Sequence, residues 1–468
     1  MTATATRART FGNAAALLPP RADRPGWIRL LAIVAALAAL ATAIVVAVGA
    51  HRVHAGTTLL GQRIAPGVAA TEDLSFALAD MDAQLANVLL AGGDSGLTRV
   101  RADALNTYDQ RRTQADADLR QAAALAGADP DAQRILDTVL DQFGRYEALA
   151  ANVMLLSANG HDPAGRPAPP VLDLYRQATD LMATILPTAH RLTESNDHVL
   201  GDAYAAARGD ARTALIWLAV LGIGLLAALA GLQIMLRLTV RRRLNPPLLV
   251  ATALALGLIL GGAVTNSAAD GQLRVAKQDA FDSLIALQQA RAIGYDANAD
   301  ESRYLLDPDR AAQYTQAFLT KSQELADLKA TTLPTYYPAL DRAIATDSGI
   351  GGLFGDELRN ITFAGEGDAA RRTLTAFATY EHDDRAMRSI SDLRQAISLD
   401  TGGSNSDFAA YNKELDAVIA INQRGFDDAI RAGGSVLTGW TGWIPFGLTA
   451  LIAAGVLLGV RPRLAEYR

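Results

Sequence analysis

Arg237-Leu-Thr-Val-Arg-Arg-Arg-Leu-Asn-Pro-Pro247 lies between two apolar runs, Thr213–Leu236 and Leu248–Val264. The first is 24 residues long without a formal charge, and the second is nearly as long. As helices, both runs are long enough to cross roughly 30 Å of hydrocarbon. The stretch therefore predicts a transmembrane hairpin. Its loop holds four arginines and no carboxylate, which by the positive-inside rule places it in the cytoplasm.

Working outward, two further apolar runs appear, Leu30–Ala50 and Ile444–Val460, giving four spans and both termini on the cytoplasmic side of a cell membrane. The tails agree: Arg7, Arg9, Arg21, Arg24 and Arg29 stand against Asp23, and Arg461, Arg463 and Arg468 against Glu466. All four tryptophans, Trp27, Trp217, Trp440 and Trp443, fall at the ends of spans, where an amphipathic ring suits the headgroup level. The apolar core of the first run is longer than that of a signal sequence, so it is expected to remain as an uncleaved span.

Of 43 Lys+Arg and 49 Asp+Glu, the tails and loop take 12 and 2, leaving the rest acidic at 31 against 47. The basic clusters hug the membrane, where anionic lipid accounts for them, and nucleic acid is not an expected partner. There is no cysteine, which excludes disulfides, thiolate chemistry and lipidated cysteine.

The chain also repeats itself. An offset of 216 pairs Asp80 with Asp296, Ala83 with Ala299, Leu89 with Leu305 and Leu90 with Leu306. An offset of 226 pairs Asn196 with Asn422, Asp202 with Asp428, Ala203 with Ala429 and Trp217 with Trp443. The expected fold class is therefore all-α. Four transmembrane helices carry two tandem extracytoplasmic helical bundles that continue the spans, built by internal duplication. The boundaries read as a disordered cytoplasmic tail over 1–26, spans at 27–50, 213–236, 248–267 and 440–460, bundles at 51–212 and 268–438, the basic loop at 237–247 and a tail at 461–468.

Within the first bundle, Leu74, Leu78, Met81, Leu85 and Val88 make a heptad seam. The last helix shows another through Val171, Tyr175, Ala178, Met182, Ile185, Ala189, Leu192, Asn196, Val199, Ala203 and Ala206, interrupted by Pro187, which should kink it or remove one backbone bond. Four helices are expected there. The second bundle reads as five or six, with turns at Leu333-Pro334 with Pro338, at 349–355, at 365–367 and at 401–406.

No nucleophile elbow, phosphate loop, zinc pair or kinase signature is present, so neither an enzyme nor a cofactor is expected. His51 and His54 are one turn apart, but two ligands do not make a metal site, and His382-Asp383-Asp384 reads as a solvated face. No ionisable residue lies deep in a span, which argues against a transport pathway. Gly257-Leu-Ile-Leu-Gly261, with Ala35 and Ala39, is a small-residue face for packing within the span bundle or, in the sharper reading, for a homodimer. Asn196 and Asn422 sit on apolar seams, as a signalling layer or as plain register-fixing amides.

Long outer helices running into spans, and the Arg303-Tyr-Leu-Leu-Asp-Pro308 corner followed by Tyr314, resemble the four-helix-bundle sensor domains of bacterial chemoreceptors. Taken whole, two tandem span-bundle-span units with arginine-rich inner edges and no output domain resemble the actinobacterial GlnX-type membrane signalling family. That resemblance implies partners: an extracytoplasmic GlnH-type solute-binding lipoprotein and a soluble cytoplasmic G-type serine/threonine kinase, with aspartate and glutamate availability as the message. Arg237, Arg241, Arg242 and Arg243 are the expected kinase-facing surface, with lipid anchoring as the competing role. Two alternatives stand beside this: direct binding of a small ligand in an outer bundle, with Arg291 and Arg303 as carboxylate partners, and a non-signalling scaffold.

Overall fold

A computed structural model of the chain describes residues 24–127, 129–240 and 245–465. Among these residues every regular element is helical. The first half contains α1 (Arg24–Leu59), a π segment (Leu60–Ile64), α2 (Ala65–Ala91), α3 (Thr98–Ala126), α4 (Pro130–Gly160) and α5 (Pro169–Val240). The second contains α6 (Pro246–Arg274), a π segment (Val275–Phe281), α7 (Asp282–Leu306), α8 (Ala311–Leu325), α9 (Leu333–Thr346), α10 (Gly352–Arg359), α11 (Glu366–Ser389), α12 (Leu393–Ser398), a third π segment (Leu399–Ser404), α13 (Asn405–Val436) and α14 (Trp443–Ala465). The two leading π segments occupy equivalent places: the 216-residue offset carries 60–64 onto 276–280. In residue identity this structural echo of the duplication shows only as Gln62 and Gln278.

The chain divides into two compact units. One, the span unit, comprises 1–58, 203–273 and 430–468; the other, the bundle unit, comprises 59–202 and 274–429.

Among the described residues four helices are long and apolar enough to cross a membrane, and they contain the four runs expected from the sequence. In the span unit they pack through small and branched residues. Ala35, Ala39, Leu225, Leu229, Ala251, Ala255, Leu258 and Ile452 are all fully buried. Ile223, Val264 and Leu457 are about two-thirds exposed, an apolar exterior that suits lipid rather than water. Polar side chains find partners between helices. Gln233 Nε2 donates to Thr252 Oγ1 at 2.8 Å, Asn266 Nδ2 to the Ala211 carbonyl at 2.7 Å, and Asn245 Nδ2 to the Gly459 carbonyl at 3.0 Å. Trp27, Trp217 and Trp443 are exposed, as a headgroup belt requires. Trp440 departs from that pattern. It is half-buried and lies over Gly261, where an added Cβ would come within 2.4 Å of the indole. Gly257, the partner glycine of the motif, meets nothing within 4 Å, so only one end of the small-residue face packs within the unit.

In the bundle unit, α2 is the central helix. Its sequence is apolar or small nearly all round, and 23 of its 27 residues are buried, including the whole seam from Leu74 to Val88. It packs against α3 on one side and against α7, its own duplicate, on the other. The two tandem bundles therefore share a core: Leu305, Leu306, Met387 and Ile397 join the cluster built on Leu74, Leu85, Tyr146 and Met182. The second half adds an aromatic core of its own around Phe318, Tyr336, Phe377, Tyr380, Phe408 and Tyr411.

Several local expectations need correction. The α5 seam is buried as read from Val171 to Asn196, but Val199 and Ala206 face out and the buried positions become Leu200, Ala207 and Ala211. A straight helix drifts against a 3.5-residue repeat, and the extra step at 196–200 resets the face. α5 runs unbroken through Pro187, which lacks an N–H and so gives up one backbone bond, as expected. The second half has seven α-helical segments between α6 and α14 rather than five or six. Leu333-Pro334 begins α9, where proline loses nothing because first-turn N–H groups lack partners, and the Thr332–Thr335 capping box closes that end. Residues 401–404, read as part of a turn, are π-helical, held by Thr401 Oγ1 on the Ile397 carbonyl at 2.7 Å and by Ser404 on Glu301. The tail to residue 23 lies outside the described residues.

Gly261→Leu should destabilise the purified protein by about 1–3 kcal/mol by overpacking against Trp440, whereas Gly257→Leu should leave the melting temperature within a degree or two. Equal effects in thermal melts would show that both glycines pack alike.

Candidate functional site: a charged seam in the bundle unit

Residues Asp296, Asp300 and Arg303 are spaced i, i+4, i+7 and so lie on one face of α7. Because α2 and the helices of both halves enclose α7, Asp300 and Arg303 on that face are buried and Asp296 is mostly so, and their charges are satisfied by protein. Arg303, only 5% exposed at its side chain, donates to Asp300, to Asp296 Oδ1 at 3.1 Å and, across the halves, to Asp82 of α2. Lys321 of α8 donates to Asp296 Oδ2 at 2.6 Å and to Asp300 Oδ2 at 2.5 Å. Asp82 also accepts from the Tyr146 hydroxyl at 3.0 Å and from Thr179 Oγ1 at 3.4 Å. Five helices, α2, α4, α5, α7 and α8, thus meet at one ion cluster.

The carboxylates of the cluster differ. Burial pushes Asp296 up, but Lys321 and Arg303 outweigh it and hold the group below the ordinary aspartate range. Burial dominates at Asp300, whose pKa stays raised despite the same two cations. Asp300 is therefore the first of this pair to take a proton.

Flanking contacts extend the seam. Arg176 of α5 pairs with the fully buried Asp307 and, at 3.1 Å, with Asp309. Arg310 pairs with Asp180 at 2.7 Å. Arg291 pairs with Asp73, and its guanidinium lies 4.3 Å from the Phe76 ring, with Arg111 at 4.4 Å from the same ring. Arg111 in turn holds Asp80 at 2.6 Å. The duplicated aspartates Asp80 and Asp296 each take a cation from the next helix of their own half.

A second polar layer is buried in the second half. Glu301, Glu381, Asp384 and Asp400 are all fully buried. Arg388 Nε on Asp384, at 2.7 and 2.9 Å, is the cation paired with this layer. Ser322 donates to Glu381 at 2.7 Å, Asn298 to Glu301 at 3.2 Å, Ser302 to Asp400 at 3.3 Å and Tyr337 to Asp384 at 2.5 Å. Burial first, then the neighbouring carboxylates Asp384 and Asp400, raises Glu301 well above its usual range; burial raises Asp400 to about 7. Burial thus favours the protonated form of Glu301, and of Asp400 below about pH 7.

Of the residues singled out from sequence, Arg303 is the hub, but its terminal nitrogens serve the protein's own carboxylates. Arg291 lies three turns away on α7, roughly 18 Å along the axis, so the two do not form one site. Asn196 and Asn422 are both buried; Asn422 Nδ2 reaches the Val418 carbonyl at 3.3 Å, and Asn196 Nδ2 has no partner among the described residues. Arg237 is exposed in the last turn of α5, where a cation suits the helix C-terminus. Arg241, Arg242 and Arg243 lie outside the described residues. His382 is exposed and meets Asp341 at 2.9 Å, as a solvated face requires, but Asp384 is interior. The seam was missed because a lone sequence shows Asp82, Asp300 and Glu301 as ordinary polar residues on amphipathic helices. The available signal was their interruption of otherwise alanine-rich and leucine-rich faces.

Residues 56–205 match the family described as actinobacterial sensor domain. No curated protein and no solved structure matches the chain. The sensor stretch supplies Asp82, Tyr146, Arg176 and Thr179 to the seam, and the second half supplies Asp296, Asp300, Arg303 and Lys321. The match, with the four apolar helices, supports a sensor and signalling role for a membrane protein.

Because folded Asp400 keeps its proton to about pH 7 and an unfolded aspartate loses it near pH 4, the folded state binds more protons in that window. Stability should therefore fall as pH rises from about 4 to 7. Asp400→Asn should flatten this slope and raise the melting temperature at pH 8; an unchanged slope would remove Asp400 from the account.

Proposed function

We propose that the protein is a transmembrane signal transducer of the plasma membrane, with both termini cytoplasmic. In this reading it relays extracytoplasmic aspartate or glutamate availability, presented by a solute-binding lipoprotein, to a cytoplasmic serine/threonine kinase. The observation that carries the reading is the join between the sensor stretch and the second half through Asp82 and Arg303. A partner that docks on one half and alters its packing also alters the other, because neither ion can lose its partner in a dry interior without a large penalty. Such a protein acts through differential contacts in two conformations, one partner on each side of the bilayer. The whole-chain layout and the arginine-rich loop between α5 and α6 support the kinase-facing assignment, and anionic lipid is the other partner of that loop.

A second reading is favoured by one specific feature. A cavity of about 110 Å³ borders the ion cluster between α5, α7 and α8 of the bundle unit, so a small ligand can be taken directly.

Replacing Arg237, Arg241, Arg242 and Arg243 by glutamine should abolish the change in kinase activity that follows aspartate addition to cells, while tag accessibility shows the same insertion. Kinase coupling at the original level would remove the loop from the relay.

A further inference from the structure

The cavity beside the ion cluster is smaller than the benzene-binding voids engineered in other proteins, roughly 150 Å³, so its occupant has few heavy atoms. Its walls are Asp180 from α5, Asp296, Asp300 and Arg303 from α7, and Tyr314 and Lys321 from α8. Two donors among these residues have no acceptor among the described residues: Arg303 Nε and the O–H of Tyr314, whose oxygen takes a hydrogen bond from Arg310; both residues are only 4% exposed. Buried polar atoms without partners are rare in native interiors, and here both are able to donate. They call for an acceptor oxygen.

Charge narrows the class further. Asp296 and Asp300 are shared between Arg303 and Lys321, and Asp180 is paired with Arg310 at the rim. With Asp82, which also takes Arg303, four carboxylates are set against three cations, so both signs of charge stand around the space. A bare anion entering this space meets three carboxylates, and a bare cation meets Arg303 and Lys321. A molecule carrying both charges meets complementary groups at each end. Asp180, with its side chain about half exposed, is the carboxylate with room to take a donor in addition to Arg310.

We propose that this cavity binds a small zwitterion, a compact molecule with one carboxylate and one ammonium. The carboxylate accepts from the Tyr314 hydroxyl and Arg303 Nε, and the ammonium donates to Asp180. The inference rests on the second reading above and adds the ligand class to it. Because Arg303 also holds Asp82, occupancy of the cavity bears on the tie between the two halves.

The test is isothermal titration of the detergent-solubilised full chain with glycine, L-alanine, L-phenylalanine, acetate and methylammonium. Glycine or L-alanine should bind at one per chain, at least about tenfold tighter than acetate or methylammonium, and L-phenylalanine should be excluded by size. Tyr314→Phe and the rim variant Asp180→Asn should each weaken glycine binding about tenfold, the effect of losing one hydrogen bond to a charged group. Acetate binding as tightly as glycine would overturn the zwitterion assignment and leave direct ligand binding standing. Absence of heat with every probe would overturn both. Glycine binding unchanged in Asp180→Asn, a variant at a half-exposed position that does not threaten folding, would place the ligand elsewhere and also overturn the proposal.

Discussion

An arginine held out of water is the constraint on which this structure depends. Arg303 carries its charge inside the bundle unit with almost no solvent contact, and its carboxylate partners come from its own helix and from Asp82 of the other half. The desolvation of such an ion is offset only when its hydrogen bonds are met in full. The second half therefore cannot pack as an independent body and keep this residue. The same logic recurs at Asp307, fully buried in the second half and neutralised by Arg176 of the first. Charge burial acts beside the shared apolar core of Leu305, Leu306, Met387 and Ile397 in fixing which faces of the two halves meet.

The duplication explains where that constraint lies. In an up-down bundle the first helix usually turns one stripe to the core. Here the first helices of both copies, α2 and α7, are pressed against each other, so each is enclosed on the side that would otherwise face water. Both begin after a π segment, and each carries an aspartate, Asp80 or Asp296, held by a cation on the next helix. The copies have diverged around this shared plan. The second carries Arg303, the buried acidic layer around Glu301 and Asp400, and a core rich in aromatic rings.

The spans, the helical class and the seams of α2 and α5 were legible in the sequence because each is a repeated pattern that many residues report together. Leu74 to Val88 is a seam whatever it packs against. What covers its other faces is not local information, and the pairing of α2 with α7 brings together residues more than 200 positions apart. For the same reason Arg303 was picked out as a charged residue on an apolar helix but assigned to an incoming carboxylate, whereas the protein supplies the carboxylates itself. Asp384 illustrates the opposite error: beside His382 and Asp383 it reads as solvated, and only the packing of α11 against α9 turns it inward to meet Tyr337 and Arg388. The turn expected at Gly402-Gly403 failed because glycine permits many conformations and the neighbouring Ser404 and Asn405 bond back to α7.

The central claim is that α2 and α7 form one interlocked pair within a single chain. The absence of native cysteine allows a direct test with two introduced thiols. The Ser302 hydroxyl oxygen lies 3.3 Å from Asn87 Oδ1 across the α2–α7 contact. In the Asn87→Cys, Ser302→Cys double variant, mild oxidation in native membranes followed by peptide mass spectrometry should find these two cysteines joined within the same chain in most molecules. Free thiols under the same conditions, or a bond found only between two different chains, would contradict the account.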